Sequence, residues 1–545
     1  MTLVCVPILV NDVAHAAADA HAAAAAGAAM VEFRVDGFYA TAADIPAVLH
    51  LLAECPIPAI LTCRIESEGG QYDGTEEDRV ALFEAAGVSD HPPRYIDVEL
   101  SAYERSANVR QKVHLAVDWP AKQRPAAPGL ILSTHDFRGR PSDLLRRVAR
   151  LAESPAEVIK VAVQARSLRD AIEMLELPGT VSRPAIALAM GEFGIVSRVF
   201  APACGGFLTF APLRASGATA PGQPTLAELR ELYRIGGVSP GTRLYGVIGW
   251  PVTHSLSPLM HNAAFAAAEH DGVYVPLPIA GGDDADGVYA GFKGTVLEMV
   301  EHPALNFAGA SVTVPHKENL VRLARERGWA LDGVARDIGA ANTLIIRRDD
   351  AGRPESIEVR NTDAVAVAEE ISLALKHLHD RRIGVIGAGG MGRAAAYGFA
   401  MAGATVVLYN RDADRARRVA KELSPVTSGK VVAASLDLLP RACCDALINC
   451  TSVGLEGGPA PGESLLSADQ FRACPTKPVV LDTVYRPRRT PLLAQAHAAG
   501  CEVIDGTGML IRQAERQRAA WTGRTPPPGL FRRLIDERLP PESEP

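Results

Sequence analysis

The sequence predicts an α/β protein in which an N-terminal (β/α)8 barrel is fused to a two-domain unit, an α/β substrate domain followed by a dinucleotide-binding domain. Three observations predict it. Between Leu3 and about Leu213, short apolar runs alternate with longer helical stretches and count out to eight strands. A Gly/Pro-rich loop at residues 236–241 interrupts that pattern, and a fresh apolar strand at 243–249 opens a second α/β region. A third region opens at residues 382–386, where an apolar strand runs straight into a glycine-rich turn.

The barrel strands are expected at LVCVPIL from Leu3, MVEFRVD from Met30, PAILTCR from Pro58, YIDVEL from Tyr95, GLILSTHDF from Gly129, EVIKVAV from Glu157, PAIALAM from Pro184 and GFLTF from Gly206. An open doubly wound sheet is the competing arrangement. After residue 214 the chain dissolves into ASGATAPGQP, then passes through a helix-like TLAELRELYRI to the boundary loop. At roughly 150 residues per domain, the 545 residues divide into 1–236, 242–365, 366–505 and a helical segment, 506–545, that returns to the substrate domain.

Composition narrows the function. Lys and Arg number 56 against 63 Asp and Glu, a net charge of −7 with no run of like sign. Arginines cluster only in pairs such as Arg146-Arg147 and Arg381-Arg382. This argues against a basic face for nucleic acid or an anionic membrane. Nine cysteines without a CxxC fit neither a disulfide framework nor a zinc site, so no metal is expected and a reducing cytoplasm is the expected home. The longest early apolar run, Ala22 to Val31, falls short of the about 18 residues a span needs, and the chain enters a strand-like run directly after Met1 without a basic leader. Oligomeric state is not legible.

In the third region, Gly387-Ala-Gly389-Gly390-Met-Gly392 lies between a strand and an Ala-rich helix. Such glycines let backbone N–H groups approach a pyrophosphate at a helix N-terminus. The next strand ends in Asn410-Arg411, with Arg415 nearby and no carboxylate at the position that would hold a ribose 2′-hydroxyl. A 2′-phosphate fits better, and NADP is preferred over NAD. Asp412 between the arginines points the other way.

Upstream, Ser255 and Ser257 place two hydroxyls in a strand-to-helix loop that can clamp a carboxylate. Val312-Thr313-Val-Pro-His-Lys317, Ala341-Asn342-Thr343 and Asn361-Thr362-Asp363 follow. From about Leu244 to Arg524, including Asn449-Cys-Thr451-Ser-Val-Gly454, Asp482-Thr-Val-Tyr485 and Gly508 to Gln517, these motifs resemble shikimate dehydrogenase. The resemblance implies that Lys317 and Asp363 form the catalytic pair and that Ser255, Ser257 and Tyr485 hold the substrate carboxylate. It further implies that Thr313, Asn342 and Gln513 bind substrate hydroxyls and that Thr451 and Gly508 lie at the cofactor. A cation or acid beside a ketone oxygen suits hydride addition to the carbon. Arg360 and Ala364 stand where the family usually carries glycines. Quinate-preferring relatives tend to change the positions of Ser257 and Thr313; both hydroxyls remain here, which favours shikimate as product.

In the first region, period two puts Glu32, Arg34 and Asp36 on one strand face. Lys160 is the only charged residue within VIKVAV, an expensive placement without a purpose. An amine with an ordinary pKa of about 10.4 needs desolvation or neighbouring cations to act as a nucleophile, and Arg34, Arg64 and Arg198 are expected to supply that charge. With His135 as a base, the set suits imine chemistry followed by proton abstraction.

Glu32-Phe-Arg34-Val-Asp36, Thr62-Cys-Arg64, His135-Asp136-Phe137, Ile159-Lys160, Gly194 to Arg198 and Ala220-Pro-Gly-Gln223 resemble the type I 3-dehydroquinate dehydratase over about Leu3 to Thr225. The resemblance implies that Lys160 forms an imine with the C3 ketone, that His135 moves the proton, that Glu68 orients His135, and that Glu32, Arg34, Arg64, Arg198, Thr219 and Gln223 hold substrate. Thr219 stands where many relatives have serine. Together the two resemblances imply a bifunctional enzyme that dehydrates 3-dehydroquinate and then reduces 3-dehydroshikimate to shikimate with NADPH. A dehydratase fused to a quinate-preferring dehydrogenase, or a non-catalytic sensor of these cyclic acids, are the alternatives; the second should have lost its reactive lysines.

Overall fold

Runs with apolar residues at one end of the inward face and polar residues at the other are suited to a closed barrel with a plugged floor and a reactive mouth. The computed structural model describes residues 2–119, 121–217 and 223–540, and in it all eight N-terminal runs are strands: β1 (Leu3–Leu9), β2 (Met30–Arg34), β3 (Ala59–Thr62), β4 (Tyr95–Glu99), β5 (Gly129–Asp136), β6 (Val158–Gln164), β7 (Ala185–Met190) and β8 (Leu208–Phe210). They form one parallel sheet ordered β7-β6-β5-β4-β3-β2-β1-β8. Phe207 N–H donates to the Ala185 carbonyl at 2.9 Å, which draws β8 toward β7 and brings the sheet close to closure. The open doubly wound alternative does not apply.

The interior is layered. Cys5, Met30, Ile60, Tyr95, Ile131, Val158, Ile186 and Leu208 make a buried apolar cluster at the N-terminal ends of the strands. Two residues farther along four of these strands the same face carries Glu32, Thr62, Asp97 and Lys160, all buried, and Ser133 joins them from β5. The floor excludes water, so the charges above it must satisfy one another.

The chain divides into two compact units, the first built mainly from Met1–Leu244. After residue 242 in the chain, β9 (Arg243–Gly249), β10 (Gly272–Pro278), β11 (Phe307–Val312), β12 (Ala330–Leu331), β13 (Thr343–Arg348) and β14 (Pro354–Arg360) form a mixed sheet ordered β10-β9-β11-β13-β14-β12, with β13 antiparallel to both β11 and β14. A third, parallel sheet is made of β15 (Arg382–Ile386), β16 (Thr405–Asn410), β17 (Val431–Ser435), β18 (Ala446–Asn449), β19 (Val479–Asp482) and β20 (Val503–Ile504). Its order, β17-β16-β15-β18-β19-β20, reverses direction between β15 and β18, the point at which such sheets open a ligand crevice. The helix Thr507–Thr522 then runs back to the mixed sheet: Trp521 Nε1 donates to the Leu344 carbonyl (2.9 Å) and Gln517 Nε2 to that of Asn342 (2.9 Å). Among the described residues no helix is long and apolar enough to cross a membrane.

Candidate active sites

At the mouth of the barrel, β6 carries Lys160, 5% exposed, and its Nζ donates to Asp97 Oδ2 at 2.9 Å and to Glu32 Oε1 at 3.1 Å. Thr62 Oγ1 donates to the same Glu32 oxygen (2.9 Å). Arg64 donates to Asp97 Oδ2 (2.9 Å) and to Ser133 Oγ (2.7 Å), and lies 3.2 Å from Glu99. Burial works to raise the Asp97 carboxyl, but Arg64 and Lys160 outweigh it and hold that group well below the usual carboxylate range. One expectation changes here. Arg64 and Arg34 do not stand as free cations beside the amine, since Arg34 forms a two-pronged pair with Asp36 (2.7 and 2.9 Å). Buried charges must be paired to be tolerated, so the strands that bring in the arginines bring in their carboxylates too.

Arg198 is the exception. It is 3% exposed, its Nη1 donates to the Phe210 carbonyl at 3.4 Å with no carboxylate paired to it among the described residues, and burial pulls its guanidinium down to about 10. A desolvated, poorly compensated guanidinium is primed for an incoming carboxylate. His135 on β5 is held by Glu68: its backbone N–H donates to Oε2 at 3.0 Å, and Nδ1 lies 3.3 Å from the same oxygen. Ser101 Oγ fixes the other Glu68 oxygen at 2.6 Å. Burial, reinforced by Arg64 and Lys160, holds the imidazole well below its ordinary range, so it is a neutral base at neutral pH. Glu32, Arg34, Arg64, Glu68, His135, Lys160, Arg198 and Gln223 line one cavity together with Phe137 and Met190. Thr219 lies outside the described residues.

In the second unit, the helix Lys317–Arg327 begins at Lys317, whose Nζ donates to Asp363 Oδ2 at 2.7 Å. Asp363 opens the helix Asp363–Leu375, and the Asn361 side chain accepts from the N–H groups of Asp363 and Ala364 (3.0 and 3.1 Å). Capping is thus done by Asn361, which leaves the Asp363 carboxylate for the lysine. Asn342 Nδ2 donates to the other Asp363 oxygen (2.9 Å) and reaches Gln513 Oε1 at 3.5 Å. Arg360 folds onto Glu358 (2.6 and 2.8 Å) instead of entering this network. Tyr485 is half-buried, hydrogen-bonds Ser255, and has its phenol pushed up by loss of solvent; Ser257 N–H donates to Ser255 Oγ at 3.2 Å. Thr313 lies against Gly249, where a Cβ would strike its methyl group.

The glycine turn follows β15. A Cβ on Gly392 would run into the Gly387 carbonyl, one on Gly390 would lie 2.8 Å from Lys317 Cβ, and one on Gly387, whose φ is +103°, would lie 3.0 Å from Thr451. Gly389, Asn410, Arg411, Asp412 and Arg415 line a cavity of about 310 Å³. Asp412, which the sequence left ambiguous, accepts from the Arg415 N–H at 3.0 Å and caps the helix Ala413–Leu423. Asn410 accepts from Ala388 N–H (3.3 Å) and donates to the Asp412 carbonyl (2.9 Å). Two arginines beside a glycine-backed cavity, with the acid committed to a cap, fit a phosphorylated dinucleotide. Gly508 does not line this cavity; it faces Glu370, which a Cβ there would strike.

Several residues escaped sequence reasoning. Asp97 and Glu99 share the inward face of β4 and would have been found by the period-two rule that singled out Glu32. Asp482 is fully buried and accepts from Asn449 Nδ2, Val484 N–H and Thr490 Oγ1 (3.0, 3.0 and 2.7 Å). Burial raises its carboxyl to about 6. It thereby ties the Asn449–Gly454 loop to the segment bearing Tyr485.

Comparison with known proteins agrees with both halves. The family model for type I 3-dehydroquinase matches residues 4–240, that for the shikimate dehydrogenase substrate binding domain residues 247–344, and that for shikimate / quinate 5-dehydrogenase residues 368–454. The bifunctional 3-dehydroquinate dehydratase/shikimate dehydrogenase, chloroplastic, of Arabidopsis thaliana is 32% identical over 98% of this chain and 84% of its own length. The shikimate dehydrogenase (NADP(+)) of Paramagnetospirillum magneticum is 39% identical, covering 53% of this chain and 96% of itself. The solved dehydroquinate dehydratase and shikimate dehydrogenase from S. pombe is 25% identical with a TM-score of 0.40, covering 98% of each chain.

Proposed function

The chain belongs to the bifunctional 3-dehydroquinate dehydratase/shikimate dehydrogenase family, and on that premise we propose how its own residues divide the two reactions. In the barrel, Arg198 takes the 3-dehydroquinate carboxylate. Lys160 Nζ attacks the C3 ketone, and the protons it sheds pass to the carbonyl oxygen, which leaves as water as the imine forms. His135, with Nδ1 turned to Glu68, removes the C2 proton through its other nitrogen and returns it to the departing C1 hydroxyl. Hydrolysis of the imine frees 3-dehydroshikimate and restores the lysine. Glu32, Arg34, Arg64, Thr219 and Gln223 hold the ring.

In the second unit, Ser255, Ser257 and Tyr485 hold the carboxylate of 3-dehydroshikimate, and Thr313, Asn342 and Gln513 take its hydroxyls. NADPH, when bound, supplies the hydride; Arg411 and Arg415 would hold its 2′-phosphate, the glycine turn its pyrophosphate, and Thr451 would flank it. Lys317 Nζ gives its proton to the developing alkoxide and Asp363 keeps that nitrogen in place. Retention of the Ser257 and Thr313 hydroxyls favours shikimate over quinate. All nine cysteines are unpaired, which supports a reducing compartment such as the cytoplasm.

The observation that carries the barrel assignment is the buried Lys160, placed in one cavity with His135 and Arg198. Borohydride reduction in the presence of 3-dehydroquinate, followed by peptide mass mapping, should leave the adduct on Lys160. An adduct elsewhere, or none, refutes the imine.

A further inference from the structure

Glu318 directly follows the lysine assigned to reduction, yet its carboxylate turns toward the nucleotide cavity: Oε1 accepts from Arg415 Nη2 at 2.7 Å. Arg415 lines the 310 Å³ cavity, and its Nε donates to the carbonyl of Ala388, inside the glycine turn, at 3.0 Å. The helix Lys317–Arg327 therefore meets the nucleotide domain twice in its first two residues, once where Gly390 leaves room for Lys317 and once through the Glu318–Arg415 bridge.

We propose that Glu318 determines how strongly the enzyme distinguishes NADP from NAD, by occupying the guanidinium that the 2′-phosphate needs. The proposal rests on the reading of this cavity as the NADP site. With Nε committed to Ala388 and Nη2 to Glu318, an arriving 2′-phosphate must either displace the carboxylate or lie beside it, like charge against like charge. Both routes subtract from what the phosphate gains at Arg415. A dinucleotide without the phosphate meets neither cost. Glu318 and Arg415 are both a little over 40% exposed, and solvent-screened pairs are weak. Glu318 therefore trims the preference for the phosphorylated cofactor by about two- to fivefold.

Calorimetric titration of full-length protein with NADP+ and with NAD+ tests this, using Glu318→Gln, Arg415→Ala and the double variant. Glu318→Gln should tighten NADP+ about two- to fivefold with NAD+ unchanged, and should do nothing further once Arg415 is alanine. Glu318→Asp, which keeps the charge but withdraws it by one methylene, should fall between wild type and Glu318→Gln. If Arg415→Ala leaves NADP+ affinity unaltered, the cavity assignment itself is wrong. If Arg415→Ala weakens NADP+ while Glu318→Gln leaves the NADP+/NAD+ ratio unchanged or lower, the role of Glu318 alone is overturned.

Discussion

The two lysines at the centres of this chain are held in contrasting ways. Lys160 projects from the middle of a strand into a barrel, pinned by carboxylates from two other strands, with Arg64 bridging one of them to Ser133. Lys317 stands at a helix start, with one carboxylate partner and a glycine turn pressed against its stem. The barrel buys position with buried charge, every member supporting the next. The second unit instead relies on loops and caps: Asn361 frees Asp363, and Asp482 fastens the loop that carries Thr451. Position fixed by strand register is hard to perturb piecemeal, whereas position fixed by loops can be altered one tether at a time.

The largest test of this contrast is reciprocal. Lys160→Ala should abolish dehydration and spare reduction, and Lys317→Ala should lower reduction by about 10²- to 10⁴-fold and spare dehydration, both followed by separate spectrophotometric assays. Loss of both activities in either folded variant would erase the division of labour. Next in size is Asp482→Asn. It replaces Oδ2, which accepts from Thr490, with an NH2 donor while leaving Oδ1 to accept from Asn449 and Val484, so it should destabilise the second unit by about 1–3 kcal/mol and raise the KM for 3-dehydroshikimate, with dehydratase kinetics unmoved; denaturant titration and initial rates check it.

The smallest effect is a displaced pH limb. His135 is neutral well below its ordinary pKa, so the proton-accepting form persists as pH falls. Dehydratase kcat/KM should hold through about pH 6.5 and decline only at lower pH, as the imidazole finally charges. A pH–rate profile bending at 6.5 or above would show that burial and the Arg64 and Lys160 charges do not govern that ring.

Legibility in the sequence followed contrast. Lys160 and Glu32 were conspicuous because a charge within an apolar run is costly, and the glycine turn because of its setting between strand and helix. Asp97 lies in YIDVEL, a run that reads simply as a strand. Glu318 resembles any acid in a first helical turn, and Asp482 any acid closing a strand; their roles depend on partners about 97 residues distant or across neighbouring loops, Arg415 and Asn449. The balance of charge around Lys160 was also out of reach, since composition does not say which arginine meets which carboxylate.

The helix cap made by Asp412 constrains any redesign of coenzyme choice. The obvious route to an NAD-using variant is to enlist an acid after β16 for the ribose, and Asp412 is the acid at hand. Its carboxylate already anchors the following helix, an arrangement whose loss costs about 0.5–2 kcal/mol, and Asn410 is tied to the turn on either side. Evolution or an engineer must first supply that helix with a new beginning before the old one can be retrained.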